Sequence, residues 1–580
     1  MHVGAASQQV VVTDAPPPLQ TQSSSLGQVI DTQEILDLPT NGRNSYSFAT
    51  LVPGVLAGPG FSSLPYDEYS DQFVSINGSR PNQSLFLIDG GINSEPAFNG
   101  PGYSPSIDMV QQYKVQTNNF SAEFSNTAGG IINVITKSGS NAFHGSAYEF
   151  YRNDVLDAND FISIRAGLPR GVFDYNQFGG TTGGPIRHNK TFFFASYEGF
   201  RETQSSLFTT TVPTALQRSG DFSHTYQSNG TLYPIYNPFT TRMDPANLGH
   251  YTRDAFPNNK IPSNLIDPVA MALTNYWPLP NSTGVGPEDV NNYNSKNINT
   301  VPKNDASLRV DQSLTDTMKL FGRFSFNRTE QHYANLYGGL ADELFSNPNA
   351  KLDIYDQAQA TIDLTDAITP TLIMDLNTSF IRYTINRTLP GSGFDPTQLG
   401  FQSYFSQLSS RYPSGFPTIG ITAEGGLGGG CYILRDAYQI YNDFANFAKE
   451  FGKHSIHFGD NVGLGTLGTA RYLPAGVSAS FGQNFTQGPD PIYDVGTGFG
   501  FAAFMLAPAA AARRAAVRIR LSITSTSADM CRTTGRRLRG SLSIWDCVTT
   551  GIFRGRRGSI GSRIMTRPSS HRCRFPACQR

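Results

Sequence analysis

The sequence predicts a mainly β fold, with a small α/β module followed by a long run of antiparallel strands. Three observations predict it. The chain holds 57 Gly, 40 Phe and 26 Tyr but only 15% charged residues, a mixture that suits strands and turns and is poor for helices. From about Phe143 onward, segments of roughly ten residues carry aromatics on one parity and polar residues on the other. Long polar stretches, notably 204–300 and 388–434, separate those segments.

The elements follow in chain order. Residues 1–26 are rich in Pro, Gln and Ser and read as a linker. In 27–55 the sequence predicts a short helix around Thr32 to Leu38, then turns at Pro39 and Asn41-Gly42. "QFVSINGSR" and "QSLFLIDGGIN" read as strands, the second ending in an Asp89-Gly90 turn, and "MVQQYKVQT" and "GGIINVITKSG" read as two more. Beyond them, "NKTFFFASYEGFR" sets Phe192, Phe194, Ser196 and Glu198 against Phe193, Ala195 and Tyr197. "KLFGRFSFNRTE" sets Phe321, Arg323 and Ser325 against Gly322, Phe324 and Phe326. Nine or ten such strands fit before Leu506. Alternating strands of about ten residues joined by long loops are the pattern of an outer-membrane β-barrel; a soluble sandwich uses strands of about five or six residues.

Composition narrows function. From Ala507 to Arg580 there are 16 Arg, no Lys and 2 acidic residues, which leaves 28 basic and 43 acidic residues before it. Cys431 is the lone cysteine before that tail, so the main body has no disulfide framework, and Cys531, Cys547, Cys573 and Cys578 lack the paired spacing of a zinc site. No run of about 18 apolar residues exists to make a transmembrane helix. "MHVGAASQQVVVTDAPPPLQ" lacks the basic start and apolar core of a signal peptide. "GLGTLG" (463–468) matches a dinucleotide fingerprint, but the helix that should follow is not predicted. His454 and His457 fall on opposite faces of a predicted strand, and no Ser occupies a G-x-S-x-G elbow. "GGLGGG" (425–430) reads as a flexible loop. The sequence therefore predicts no enzyme, no cofactor, no metal site and no nucleic-acid partner.

Several motifs together resemble a known family. "SLFLIDGGIN" (84–93) and "SIDMVQQYKVQTNNFSAEFSNTAGGIINVITKSGSNAFHGSAYEFYRND" (106–154) resemble the plug-to-barrel passage of TonB-dependent outer-membrane receptors, and in particular their Oar-like branch. "LPTNGRNSYSFATLVPGV" (38–55) and "FGGTTGGPIRHNKTFFFASYEGFR" (178–201) are similar to the same branch. The resemblance implies a plug at 27–140 and a partial barrel with long loops at 141–506, about half of a 22-stranded barrel. It implies an outer-membrane location and uptake of a scarce solute, of the siderophore or glycan class, bound from outside. It also implies a TonB-type energy-transducing protein and outer-membrane lipid as partners. Asp89, Gly90, Gly129, Gly130, Asn133, Thr136, Lys137 and Gly139 form the plug's structural motif. Gly129 and Gly130 are expected where a tightly packed strand passes close to the wall, and turn and packing roles alone also account for these residues. Val10, Val11, Val12 and Thr13, within "QVVVTDAP", are a candidate TonB box; in the Oar-like branch such a run also ends a preceding β-sandwich. The rival reading is a secreted or surface-exposed β protein for carbohydrate binding or adhesion, which has no need of the plug passage.

The tail at 507–580 reads as disordered and as an out-of-frame translation. In the family, segments resembling Q-D-D-W, L-G-L-R-Y-D and N-Y-D follow the first barrel strands. Read one base before each codon boundary, Cys531 to Gly535 can encode the first, Ile544 to Thr550 the second and Arg563 to Thr566 the third. Trp545-Asp546 must then give Gly and Asp546-Cys547 must give Leu. The sequence thus leads to the expectation of a truncated chain that is not itself a working transporter.

Overall fold

In the computed structural model the described residues are 25–58, 73–95, 99–124, 127–165, 169–341, 352–403, 414–428, 433–472, 477–494, 496–506 and 522–532. The candidate TonB box at Val10–Thr13 lies outside them.

The first module opens with β1 (Leu26–Ile30) and the helix Thr32–Asp37. Asp31 accepts from the Gln33 and Glu34 amides, and the Glu34 side chain accepts from the Asp31 amide, so both partners of a capping box are in place. A small ribbon of β2 (Val55–Ala57) and β3 (Val74–Ile76) follows. Then come β4 (Leu85–Ile88), β5 (Gly91–Ile92), β6 (Val110–Asn118) and β7 (Ile131–Thr136), which join β1 in one sheet of order β1-β6-β7-β4-β5. β4 is buried along its whole length, Leu-Phe-Leu-Ile, because it pairs parallel to β7 and is covered on both faces. Tyr46, Phe86, Tyr113 and Ile132 belong to the module's core.

The second unit is a wall. β8 (His144–Asn153), β9 (Phe173–Arg187) and β10 (Thr191–Thr210) lead to the small hairpin β11 (Arg242–Met243) and β12 (Tyr251–Thr252). The wall resumes with β13 (Tyr293–Ser313), β14 (Met318–His332), β15 (Leu352–Thr369) and β16 (Leu372–Thr388). After β17 (Thr418–Ile421) and β18 (Glu424–Leu427) come β19 (Ile433–Phe451), β20 (His454–Tyr472), β21 (Ser478–Phe481) and β22 (Ser522–Arg532). The wall sheet has the order β22-β20-β19-β16-β15-β14-β13-β10-β9-β8, antiparallel throughout, with nine of its strands before Leu506. Most are longer than the ten residues expected: β13 has 21 and β10 has 20, because the ladders run on past the length a bilayer needs.

The wall is inside out relative to a soluble sheet. On β14, Arg323, Ser325, Asn327, Thr329 and Gln331 are buried, while Phe324 and Phe326 are 54% and 39% exposed. On β13, Lys303, Asp305 and Ser307 are buried and Leu308 is exposed; on β16, Asn377 and Ser379 are buried and Ile373 is exposed. A polar inner face and an apolar outer face are what lipid demands of a barrel wall. The plug module sits against the polar face. Connections alternate: 188–190, 314–317, 370–371 and 452–453 are turns of two to four residues at one end, and all other wall connections are long. In such barrels the tight turns lie on the periplasmic side and the long loops outside.

Three expectations change here. The long connections, expected as polar loops, share a hydrophobic core that includes Phe222, Trp277, Leu427, Phe481 and the wholly buried helix Gly500–Leu506. β17 pairs with β18 and, in parallel, with β21, which joins two connections, and the shared core adds 211–292 as a third, so the segments fold together as one cap. Gly425–Leu427 is therefore strand, not flexible loop, because its apolar side chain is needed in that core. In the tail, Ser522–Arg532 departs from the expected disorder and extends the wall on the free edge of β20.

Candidate functional site: the contact between plug and wall

β4 and β5 are joined by Asp89 and Gly90, with Ile88 opposite Gly91. Both turn residues have positive φ, +50° and +78°. That is the geometry of a two-residue type I′ hairpin, for which Asp-Gly is a preferred pair. The tight turn thrusts one carboxylate out of the module and into the wall.

Four donors converge on it. The Thr136 amide and hydroxyl donate to Asp89 at 2.8 Å each, from the end of the neighbouring strand β7. Arg323 Nε donates to Asp89 Oδ2 at 2.7 Å, and Arg309 Nη1 to Oδ1 at 3.2 Å. The side chain of Arg323 is 0% exposed and that of Asp89 3%. Arg323 places its remaining donors on Ser325 Oγ (2.8 Å), Thr361 Oγ1 (3.1 Å) and Gln359 Oε1 (3.3 Å). Arg309 also binds Asp311 at 2.8 Å and lies 4.0 Å above the Phe321 ring. The turn backbone is held as well. Asn377 Nδ2 donates to the Asp89 carbonyl at 3.1 Å, Ser379 Oγ accepts from the Ile92 amide at 3.3 Å, and Asn133 Oδ1 accepts from the Gly90 amide at 3.3 Å.

Further contacts tie down the rest of the plug. Tyr103 Oη donates to Asp305 Oδ1 at 3.0 Å. Burial raises the Tyr103 phenol well above its ordinary value, and the Asp305 charge adds to this, so it stays a donor. Arg43 pairs with Asp108 and lies over the rings of Tyr148 (4.9 Å) and Phe150 (4.6 Å) on β8. The Lys137 amide donates to the Met109 carbonyl at 2.8 Å; burial lowers its ammonium pKa, with Asp108 pulling the other way.

The sequence motif therefore divides. Asp89, Gly90, Asn133 and Thr136 meet at one point. Gly139 touches the wall, since a Cβ there would lie 2.3 Å from the Phe193 carbonyl oxygen. Gly129 and Gly130 do not: their hypothetical Cβ atoms meet the backbone oxygens of Gln83 and Gln116 at 2.9 and 2.6 Å, inside the plug itself. Close approach to the wall is found at Gly91 and Gly102, where an added Cβ would lie 2.7 Å from Ser379 Cβ and 2.4 Å from Ile381 Cδ1. Sequence reading also missed the partners Arg309, Asn377, Ser379, Tyr103 and Asp305. For the four wall residues the one signal was a polar side chain on the inner parity of a strand; Tyr103, in a plug loop, gave none. Among the described residues no group of His, Cys, Asp and Glu could hold a metal ion. This constellation holds two bodies together.

A wall with its apolar side outward and a separate module latched to its polar face is the arrangement of a plugged outer-membrane β-barrel, of which this open ten-stranded sheet is a part. The family model described as "Outer membrane beta barrel domain" matches residues 135–529. The chain belongs to that family of outer-membrane β-barrels. It is 32% identical over 207 residues to the TonB-dependent transporter Oar of Myxococcus xanthus, covering 33% of this chain and 18% of that protein. It is 30% identical over 176 residues to the probable TonB-dependent siderophore receptor PirA of Acinetobacter baumannii, covering 27% and 22%. Among solved structures it is similar to the outer membrane transporter YddB from Escherichia coli, with TM-score 0.44 and 10% identity over 79% of this chain and 50% of that one. The chain thus matches less than a quarter of the length of these two curated relatives.

Proposed function

We propose that this chain supplies the plug and part of the wall of an outer-membrane receptor that admits a scarce solute, of the siderophore or glycan class, when its plug is displaced. Residues 27–140 act as the plug, 141–506 as wall and loops, and a TonB-type protein pulls on the N-terminal segment. The observation that carries this reading is the Asp89 latch: a buried carboxylate of the plug held by two arginines of the wall. Charged and polar contacts suit a part that must leave its seat. An apolar interface would hold the plug without direction, whereas this one concentrates the hold in a few bonds that a pull can break in sequence. The reading assigns no covalent chemistry. A secreted adhesin would need the opposite burial pattern, with the apolar side chains of β14 turned inward.

The test is a reversible lock. A Cβ at position 91 would lie 2.7 Å from Ser379 Cβ, closer than the about 3.5–4.5 Å a disulfide spans, so Gly91→Cys with Ser379→Cys joins plug to wall once the β4–β5 turn yields by about 1 Å. Cells making this variant are assayed for energy-dependent accumulation of labelled ferric siderophores and neutral oligosaccharides. Accumulation should stop under oxidation and return with reductant. Equal accumulation in both states, or accumulation without the TonB-type protein, sinks the reading.

A further inference from the structure

The outer face of the wall carries two charges that lipid does not accommodate. Asp443 on β19 and Asp460 on β20 are both exposed there. Asp443 faces Val462, so Asp460 is its diagonal neighbour on one face. The row of facing residues that crosses the wall from Asp443 runs through Thr378, Ile362, Gly322, Val310 and Phe193, none of them charged. The next outward row, two residues on, holds Tyr441, Phe380, Phe324 and Leu308. Asp443 and Asp460 therefore lie within the apolar band. Ionisable side chains at that depth are costly and mark a functional contact.

The same face holds the complementary charge. Arg382, exposed on β16, lies four residues beyond Thr378 towards the long-loop end. Its Cα is thus about 14 Å from that of Asp443, and among the described residues no ion pair joins Arg382 to either carboxylate. Lys449, nearer the tight turn, is bound to Thr371 at 2.8 Å. Counted from their own tight turns, Arg382 stands two residues higher than Asp443, about 5 Å along the membrane normal once strand tilt is allowed for. The rest of their separation is sideways. A twofold axis along the normal keeps height and exchanges left for right. It brings Arg382 of each copy opposite Asp443 of the other, with Asp460 beside it as a second carboxylate. The remaining height step is within reach of an arginine side chain. Around the charges, Phe380 lies 4.7 Å from Tyr441, and Phe447 stacks on Phe458 at 5.2 Å, which gives the face flat apolar surface to pack. We propose that this face joins two copies of the chain within the membrane. The inference needs only that the wall lies in lipid, and goes beyond solute uptake.

The test counts copies in lipid. The full chain, carrying one dye, is reconstituted into large vesicles, and bleaching steps per spot are followed as added lipid dilutes the protein. Two-step spots should dominate and give way to single steps on dilution. Arg382→Asp and Asp443→Arg should each raise the dissociation constant about tenfold or more, the scale of a lost desolvated charge pair. The two substitutions together should restore it. A second measurement needs no charge variant: spin labels at position 441, with the five native cysteines replaced, should couple to each other, and the coupling should fade when unlabelled chain is mixed in. The proposal is overturned by single steps at every density, by an Arg382→Asp or Asp443→Arg variant that inserts and matches the unaltered chain, by a double variant that inserts and stays apart, or by uncoupled labels at 441. A chain that inserts but stays single sinks this inference alone; a chain that does not enter lipid sinks the wall reading with it.

Discussion

Replacing Asp89 with Ala should loosen the plug without unfolding the wall. The substitution leaves Arg323 buried with no carboxylate within reach. Removing one partner of a buried ion pair costs about 3–5 kcal/mol. The lower end applies here, because Arg323 keeps three neutral acceptors, Ser325, Gln359 and Thr361, and Arg309 keeps Asp311. A loss of about 3 kcal/mol raises the opening equilibrium about 150-fold. The assay is amide hydrogen exchange in detergent, read by mass spectrometry on a peptide spanning β7. Its Val134 carbonyl accepts from the Asp89 amide at 2.8 Å, so it reports on the same corner. Exchange in β7 should quicken about 100-fold while β14 stays protected. The double variant Asp89→Leu with Arg323→Met should recover most of the loss, since no charge is then left unpaired. A change under about threefold in Asp89→Ala, or equal quickening in β14, would refute the reasoning.

Other consequences follow from the same geometry. Gly139→Ala should destabilise the chain by about 1–3 kcal/mol, because the new methyl falls 2.3 Å from a backbone oxygen that cannot swing away; thermal unfolding in detergent measures it. Phe324→Arg puts a charge on the lipid face of β14 and should cost about 2–4 kcal/mol near the bilayer midplane, with Phe324→Leu nearly neutral; urea unfolding in vesicles separates them. In the cap, Glu424 Oε2 is buried and takes no hydrogen bond although the residue's stem is half-buried. Burial pushes its carboxyl from 4.5 up to about 8, against the pull of Arg218. A raised folded-state pKa means the protonated form is favoured in the folded cap. Its contribution is present below pH 4.5 and is lost as pH rises towards about 8. Glu424→Gln should flatten that decline. Trp277, whose Nε1 donates to the Gly425 carbonyl at 2.7 Å, reports it by fluorescence in a Trp545→Phe background. Val11→Pro should abolish energy-dependent uptake and leave outer-membrane location unchanged, as fractionation would record.

Some of this was legible from residues alone. The wall was, because a strand with an aqueous lumen on one side and lipid on the other must alternate, and "GRFSFN" does so before charged Arg328 and Glu330 take over the outer parity. The Asp89-Gly90 turn was also legible, because positive φ at two successive positions selects those residue types. The partners of Asp89 were not. Arg323 lies 234 residues away, and nothing local distinguishes an arginine that meets the plug from one that merely lines the lumen. The cap core was hidden for a related reason. Its apolar residues come from separate connections, none with enough of them to announce a core, and the parallel pairing of β17 with β21 joins segments with no sequence periodicity in common. Glycines were legible as close-approach sites, but the surface each one meets was not, because a missing Cβ says that something is near and not what it is.

The central claim is an inside-out wall that holds a plug on its polar face. It is tested most directly by spin labels at single cysteines placed in turn at positions 323 to 327, with the five native cysteines replaced, in chains reconstituted into lipid. Collision with dissolved oxygen reports lipid exposure, and collision with a water-soluble nickel chelate reports aqueous exposure. Labels at 324 and 326 should be reached by oxygen and spared by nickel, and those at 323, 325 and 327 should be shielded from both by the plug. Oxygen access at 323, 325 and 327, or nickel access at 324 and 326, would contradict the wall and the latch together.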